Sequence, residues 1–232
     1  MIVGGLQKHS MIDYPGKVSC VCFLTGCNFD CPYCHNPHLV RGDLARLDPM
    51  DEGGFYRFLE ARRGLLDGVV VSGGEPTLDG ELIPLCRRIK AMGYPVKLDT
   101  NGSRPDVIKS LMDEGLVDYI AMDIKTDPCL YPLFIKREFD PASLLSSIRM
   151  IMEWGLDYEF RTTCVKPLVH SQVVKDIARI IEGAKLYALQ SFRDKDLLHP
   201  EFFQGVKAGY DEEEMMSLRS IAEPWVKRCV LR

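Results

Sequence analysis

The sequence predicts an α/β fold of parallel strands arranged as an open, partial (β/α)6 barrel. Six short runs rich in β-branched residues alternate with longer segments of helical period, which is typical of a parallel sheet covered by helices. The chain has 232 residues, fewer than the about 250 of a closed (β/α)8 barrel. Because 46% of the residues are hydrophobic, one buried core can form. We therefore predict a single domain over residues 1–232, with residues 200–232 as a C-terminal extension whose role the sequence does not define.

The predicted strands and helices alternate along the chain. The predicted strands span residues 18–24, 68–72, 96–100, 119–124, 158–165 and 185–190. The predicted helices span residues 50–64, 79–93, 104–115, 140–154, 171–183 and 211–223. Ser103 and either Asp140 or Ser171 are candidate N-caps, and Pro105 suits the first turn of a helix.

Composition limits the cellular setting and the partners. No apolar stretch approaches the about 18 to 20 residues of a membrane span, and the first ten residues lack the apolar core of a signal peptide. We therefore predict a cytoplasmic protein with no membrane partner. The net charge of −4 comes without a long basic run, so nucleic acid is not expected as a main partner.

Three of the nine cysteines lie in one short loop, Gly-Cys-Asn-Phe-Asp-Cys-Pro-Tyr-Cys-His-Asn. An ordinary 4Fe-4S carrier uses four thiolates, so a cluster held only by Cys27, Cys31 and Cys34 has one iron open to bind a small molecule. The alternative is a structural zinc site with His35 as fourth ligand, but such sites usually pair two separated knuckles and the sequence has no second one. The other cysteines are predicted to be small buried hydrophobes: Cys20, Cys22, Cys86, Cys129, Cys164 and Cys229.

A glycine-rich segment, Gly73-Gly74-Glu75-Pro76, follows the second predicted strand. In parallel α/β folds the chemistry gathers in the loops after the carboxyl ends of the strands. Two successive residues without Cβ let the backbone approach a ligand closely, so that it can bind an ammonium or carboxylate group. The alternative is a plain turn from strand to helix, in which Pro76 starts the helix. The position after a strand favours ligand binding.

Two carboxylates, Asp99 and Asp123, lie at the ends of the third and fourth predicted strands. A carboxylate in a buried strand costs free energy unless it is paired with a cation or hydrogen-bonded. Lys125, a bound metal ion or the charged end of a ligand are candidate partners. Arg161 either faces the same site or extends its charged end outward to water. We expect the loops after the first four strands to meet at one edge of the sheet.

The motifs resemble those of the radical S-adenosylmethionine (SAM) superfamily, in Cys-x3-Cys-x-aromatic-Cys at residues 27–34 followed by Gly-Gly-Glu-Pro. Four segments resemble more narrowly the glycyl-radical enzyme activases of that superfamily: residues 11–16, 34–37, 99–102 and 123–125. The resemblance covers about residues 5–165 and implies a barrel of the radical SAM type.

The resemblance implies a role for each matching residue. Cys27, Cys31 and Cys34 would ligate a 4Fe-4S cluster whose open iron chelates the amino and carboxylate groups of SAM. Tyr33 would lie beside the adenine. The residues expected to help place SAM are Asn36, Gly73, Gly74 and Glu75, the glycine pair through backbone contacts to its amino group.

A polar site is also implied near the methionyl and ribose groups of SAM. Asp99, Asp123 and Lys125 match it, and Arg161 corresponds by location more than by motif. The related pyruvate formate-lyase activase binds a monovalent cation there, which makes such a cation a candidate cofactor of this chain.

The implied activity is reductive cleavage of SAM to methionine and a 5′-deoxyadenosyl radical, which then generates a glycyl radical on a partner enzyme. The expected partner is anaerobic ribonucleoside-triphosphate reductase, and the expected electron donor is a low-potential protein such as flavodoxin or ferredoxin. Two alternatives stay open. One is a radical SAM enzyme that acts on a small molecule, like deazaguanine synthase, and the other is a non-catalytic metal or redox module.

Overall fold

The structure is a computed structural model that describes residues 2–131 and 140–232. The described residues form two compact units. The first unit lies within residues 1–28, 38–100 and 106–120, and the second within residues 29–37, 101–105 and 121–232.

The first unit contains a mostly parallel set of strands. Its strands are β1 (Ile2–Val3), β2 (Gly5–Ser10), β3 (Ser19–Leu24), β4 (Met50–Asp51), β5 (Gly68–Gly73), β6 (Val96–Thr100) and the first part of β7 (Tyr119–Asp123). The order of neighbouring strands is β2, β3, β5, β6, β7, while β1 pairs separately with β4. β3, β5 and β6 are parallel, and β2 runs antiparallel to β3 at the edge.

The second unit continues from the last part of β7. Its further strands are β8 (Asp157–Cys164), β9 (Tyr187–Ser191) and β10 (Cys229–Leu231), in the order β7, β8, β9, β10. β8 and β10 are both parallel to β9. Residues 200–232, whose role the sequence leaves open, therefore supply a sheet strand in β10.

Within residues 2–131 and 140–232, seven α-helices are given bounds, and they lie between or after the strands. They are α1 (Pro37–Arg41), α2 (Glu52–Ala61), α3 (Leu82–Ala91), α4 (Pro105–Asp113), α5 (Pro141–Glu153), α6 (Ser171–Ile180) and α7 (Glu212–Ala222). Asp140 caps α5 through its side chain, and Asp211 forms a capping box with Glu214 at the start of α7. Ser171 is not an N-cap, because it is already the first helical residue and His170 takes the cap position.

The predicted fold class is confirmed as α/β with mainly parallel strands. All six predicted strands and all six predicted helices are present, with ends shifted by at most three residues. In the described parts of the chain, β2 pairs with β3 in the first unit and β10 pairs with β9 in the second. Strands β1, β2, β4 and β10 and the short helix α1 were not predicted. The single domain over residues 1–232 stays a prediction.

Burial follows the sequence pattern, with one exception among the cysteines. Val69, Val70 and Val71 of β5 are fully buried, as expected for a parallel strand covered on both faces. Five of the six cysteines outside the loop are buried. The prediction is wrong for Cys129, which is exposed because it lies in the short 3-10 turn Pro128–Leu130 after β7. Within the described parts of the chain, no helix has both the length and the apolar character needed to cross a membrane.

Arg232 stabilises the second unit through a bidentate ion pair with Glu159. Its Nη1 and Nη2 donate to the two carboxylate oxygens of Glu159 in β8 at 2.9 and 2.7 Å. The Glu159 side chain is only 1% exposed. The backbone N–H of Arg232 also donates to the Leu189 carbonyl at 3.0 Å. A buried carboxylate thus depends on a guanidinium from the C-terminal extension.

We expect Arg232→Ala to lower the free energy of unfolding by about 2–3 kcal/mol, because it leaves the buried Glu159 carboxylate without this cation. This is less than the cost of about 3–5 kcal/mol for breaking a fully buried pair, since the Arg232 side chain is 37% exposed. Urea denaturation measures the loss. Arg228→Ala, at an exposed position nearby, is the control and should change stability by less than about 0.5 kcal/mol. Equal effects of the two variants would contradict this role.

Candidate functional site

In the first unit, the glycine-rich segment is hydrogen-bonded to the residues that lead into the cysteine loop. The backbone N–H of Gly74 donates to the Leu24 carbonyl at 2.9 Å, and that of Glu75 donates to the Gly26 carbonyl at 2.8 Å. Gly26 in turn donates its N–H to the Leu39 carbonyl at 2.8 Å. The backbone just before Cys27 is therefore fixed by the glycine-rich segment.

The structure gives a packing reason for both glycines. A Cβ on Gly73 would lie 2.1 Å from the Leu24 carbonyl oxygen, and a Cβ on Gly74 would lie 2.0 Å from the Gly26 carbonyl oxygen. Gly73 also has a φ of 131°, which L side chains rarely adopt. Two residues without side chains are thus required for the two chain segments to approach each other. That the pair also contacts a ligand stays a prediction.

Glu75 is buried, with 1% of its surface exposed. Its Oε1 accepts hydrogen bonds from the Thr77 N–H at 3.1 Å, the Thr77 hydroxyl at 2.5 Å and the Thr100 hydroxyl at 2.7 Å. It also caps the 3-10 helix Pro76–Leu78. The structure thus shows the helix-starting turn, with a buried carboxylate at the end of β5, while ligand binding by this segment stays a prediction.

Asp99 in β6 is neutralised within its own strand. Its carboxylate pairs with the ammonium group of Lys97, which is 1% exposed, and it accepts a long hydrogen bond of 3.4 Å from the Ser72 hydroxyl. Residues two apart in a strand share a face, which explains why Lys97 reaches Asp99. The cation that the sequence required for this carboxylate is therefore a buried lysine of the protein.

The second unit holds the other two cysteines of the loop. Cys34 donates its backbone N–H to the Cys31 carbonyl at 3.0 Å, which forms a tight turn. Cys31 is buried and Cys34 is partly exposed. Cys27, which belongs to the first unit, is also partly exposed, and none of the three forms a disulfide. Burial raises the pKa of the Cys34 thiol. Asn36 is exposed and directly precedes α1.

Tyr33 presents a buried hydroxyl that has no hydrogen-bond partner among the described residues. Its side chain and those of Cys31, Lys125 and Tyr131 line one small cavity of the second unit. Burial raises the pKa of Tyr33 well above its ordinary value. A buried polar group without a partner is costly and needs an explanation, and a bound ligand is one.

Asp123, Lys125 and Arg161 form a charge cluster in the second unit. Arg161 Nε donates to Asp123 Oδ1 at 2.7 Å, and Lys125 Nζ donates to Asp123 Oδ2 at 2.8 Å. Burial by itself would raise the pKa of Asp123, but the two positive charges together lower it well below its ordinary range. Arg161 is 12% exposed and therefore faces Asp123 instead of extending to water. The cluster carries one surplus positive charge.

We expect Asp123→Asn to lower the free energy of unfolding at pH 7 by about 2 kcal/mol, because two cations then face each other without an anion. The Asp123 side chain is 25% exposed, so breaking its ion pairs should cost less free energy than breaking fully buried ones. A carboxylate whose pKa is lowered on folding contributes stability above its unfolded pKa of about 3.9 and loses it as the pH falls through the folded value.

Urea denaturation between pH 7 and 3 tests this expectation. Wild-type stability should fall more steeply with decreasing pH than that of Asp123→Asn. Asp157→Asn, in an exposed ion pair of the same unit, is the control and should follow the wild type. Parallel curves for the wild type and Asp123→Asn would contradict the assigned charge state.

The donor chemistry of the loop fits an iron–sulfur cluster. Three cysteines that form no disulfide lie in one segment without helix or strand, and in the second unit Cys31 lines the cavity of the unsatisfied Tyr33 hydroxyl. Among the described residues, no three His, Cys, Asp or Glu side chains are already grouped closely enough to hold a metal ion. The fit therefore rests on the identity and spacing of the three cysteines.

Comparison with known proteins decides the family. The sequence profile of the Radical SAM superfamily matches residues 21–183, which include the cysteine loop, the glycine-rich segment and the charge cluster. The chain belongs to the radical SAM superfamily. Members of this superfamily use a 4Fe-4S cluster and SAM, and the predicted cofactors and enzyme class are confirmed to that extent.

Two relatives and one solved structure show in more detail what this radical SAM protein is similar to. A protein of Methanocaldococcus jannaschii, provisionally named a glycyl-radical enzyme activating enzyme, is 36% identical over 100% of this chain and 95% of its own length. The 7-carboxy-7-deazaguanine synthase of Koribacter versatilis is 36% identical over 47% of this chain and 48% of its own. Streptococcus suis SuiB bound to S-adenosylmethionine shares the fold, with a TM-score of 0.66 and 12% identity over 91% of this chain and 51% of SuiB.

Sequence reasoning missed several residues that support the radical SAM site. Lys97 could have been found, because it shares a strand face with Asp99. Thr100, which donates to Glu75, lies in segment 99–102, which the sequence singles out by its resemblance to the activases. Tyr131 carries no such signal, although its hydroxyl accepts the Lys125 N–H at 2.6 Å. Its position next to the site depends on the path of the chain after β7.

Proposed function

We propose that this protein is the activating enzyme of a glycyl-radical enzyme, and that its target is anaerobic ribonucleoside-triphosphate reductase. The observation that carries the activase proposal is the similarity over the full chain to a relative that bears this name. The narrower choice of target is supported by the sequence segments at residues 11–16, 34–37, 99–102 and 123–125.

Cys27, Cys31 and Cys34 would hold the cluster in this proposal. When bound and reduced, a 4Fe-4S cluster with one open iron would supply an electron for cleavage of SAM into methionine and a 5′-deoxyadenosyl radical. Flavodoxin or ferredoxin is the proposed source of that electron. The protein's contribution is to fix the backbone that leads into the loop, which the hydrogen bonds from Gly74 and Glu75 support.

The remaining side chains bind and orient SAM in this proposal. Glu75 and the glycine pair lie at the end of β5 and are assigned to the methionyl group. The surplus positive charge of Lys125 and Arg161 around Asp123 suits the carboxylate of SAM. The unpaired hydroxyl of Tyr33 and its ring are assigned to the adenosyl group. Asn36 and Asp99 complete the proposed set of binding residues.

The partner supplies the final substrate as a segment of its own backbone. We propose that a glycine-bearing loop of the reductase enters the site and that one hydrogen atom moves from the glycine Cα to the 5′ carbon of the radical. The products are 5′-deoxyadenosine and a glycyl radical. Filling the site with the partner's backbone also excludes water from a reactive species.

The test is the formation of a glycine-centred radical. The anaerobically reconstituted protein is mixed with reductant, SAM and a candidate anaerobic reductase, and the mixture is followed by electron paramagnetic resonance. We expect a glycyl signal that is absent with a reductase in which the radical-bearing glycine is replaced by alanine. SAM cleavage without a glycyl radical on any glycyl-radical enzyme of the same cell would contradict the proposed activity.

A second candidate function is suggested by the deazaguanine synthase similarity, which covers about half of this chain. In that case the substrate is a small molecule and no partner protein is required. Turnover of candidate small substrates by the reconstituted protein alone would favour this alternative over the activase.

A further inference from the structure

Residues 192–203, which follow β9, lie against the cysteine loop within the second unit. We call this segment the clasp. The backbone N–H of Leu198 donates to the Cys34 carbonyl at 2.9 Å, and the N–H of His199 donates to the Pro32 carbonyl at 3.1 Å. The clasp is far from the loop in sequence, yet it satisfies two carbonyls of a stretch that has no helix or strand of its own.

The side chain of His199 adds a contact to the loop from the same end of the clasp. Its Nε2 lies 2.9 Å from Asp30 Oδ1, and its Nδ1 lies 3.0 Å from Glu201 Oε1. His199 is the N-cap of the 3-10 helix Pro200–Phe203, but its side chain makes no capping hydrogen bond. The imidazole therefore bridges Asp30 of the loop and Glu201 of its own 3-10 helix.

The other end of the clasp contacts the residue after the third cysteine. His35 Nε2 lies 2.6 Å from the Arg193 carbonyl oxygen, and its ring stacks on Phe192 with centroids 6.1 Å apart and planes 22° apart. Phe192 in turn packs on Phe203, with ring centroids 5.4 Å apart. Segment 30–35, which includes two of the three proposed cluster ligands, is thus held at both ends.

We infer that His199 is a positioning residue, which holds Asp30 and with the clasp keeps the cysteine loop in the geometry that retains the cluster. The inference rests on the proposed role of Cys31 and Cys34 as ligands. Replacing a group that hydrogen-bonds to a metal ligand, without binding the metal itself, typically lowers metal affinity about 10–100-fold. An imidazole hydrogen-bonded one residue before Cys31 is in a position to have an effect of this kind.

The experiment measures iron release to an excess of a ferrous chelator, followed by absorbance in anaerobically reconstituted full-length protein. We expect His199→Ala to release iron about tenfold faster than the wild type. His199→Gln, which retains an N–H donor for Asp30, should restore slow release. Asp30→Ala removes the same contact from the other side and should match His199→Ala. His170→Ala replaces an exposed histidine of the same unit and should behave as the wild type.

Each outcome bears on a distinct claim. Unchanged release from both His199→Ala and Asp30→Ala, or fast release from His199→Gln as well, overturns the positioning role. A folded wild type that takes up no cluster would instead overturn the proposed cluster ligands. Thermal unfolding of the iron-free variants is measured in parallel. If His199 only stabilised the fold, His199→Ala would lower thermal stability, and His199→Gln would not selectively restore iron retention.

Discussion

Replacing Cys31 with alanine is expected to lower reductive SAM cleavage by more than about a hundredfold. Loss of a group that only orients a metal ligand already costs about 10–100-fold, so loss of a ligand itself should cost more. Cys31 is also the most buried cysteine of the loop and lines the cavity with Tyr33. The measurements are iron per chain and 5′-deoxyadenosine formed under strong reductant.

Cys129→Ala is the matched control for this variant. Cys129 lies in the same unit and is exposed, and the proposed site does not include it. We expect the control to retain its iron and its activity. A Cys31→Ala protein with full iron content and full SAM cleavage would show that this cysteine is not a cluster ligand.

Gly74→Ala is expected to lower the free energy of unfolding by about 3 kcal/mol, at the upper end of the cost of overpacking. The added Cβ would lie 2.0 Å from the Gly26 carbonyl oxygen and 2.6 Å from its carbonyl carbon. Both are backbone atoms, which cannot move aside as a side chain can. The clash also displaces the backbone that leads into Cys27, so we expect weaker cluster retention in the same variant.

Gly80→Ala provides the comparison, because a Cβ on Gly80 meets no atom within 4 Å. Urea denaturation should show a change of less than about 0.5 kcal/mol for Gly80→Ala and a large loss for Gly74→Ala. Similar stability of the two variants would mean that the close approach between Gly74 and Gly26 is not required.

The elements with strong local signals were predictable from the sequence. β5 is a continuous run of buried valines, and α7 begins with a cluster of acidic residues that includes its capping box. The strands that were missed are short or lie at an edge. β10 has only three residues. β2 has three exposed residues in a row, so its buried and exposed residues do not alternate as in a half-buried strand. Their pairing depends on neighbours that are distant in sequence.

The motifs of the candidate site were recognisable in the sequence, and its ligand residues stay predictions, but its supporting contacts were not predictable. The spacing of Cys27, Cys31 and Cys34 pointed to the cluster, and the positions of Asp99 and Asp123 at strand ends pointed to buried cations. The clasp was not predictable, because nothing in local sequence connects His199 to Asp30, 169 residues earlier. Such contacts depend on how the chain returns after β9, which is a property of the tertiary fold.

The measurement that tests the central claim most directly is electron paramagnetic resonance of the reduced, anaerobically reconstituted protein before and after addition of SAM. The proposed site predicts a 4Fe-4S signal whose shape changes when SAM is added, because the amino and carboxylate groups bind the iron that has no cysteine ligand. A protein that carries zinc, or a cluster whose signal is unaffected by SAM, would contradict the proposed chemistry at its origin.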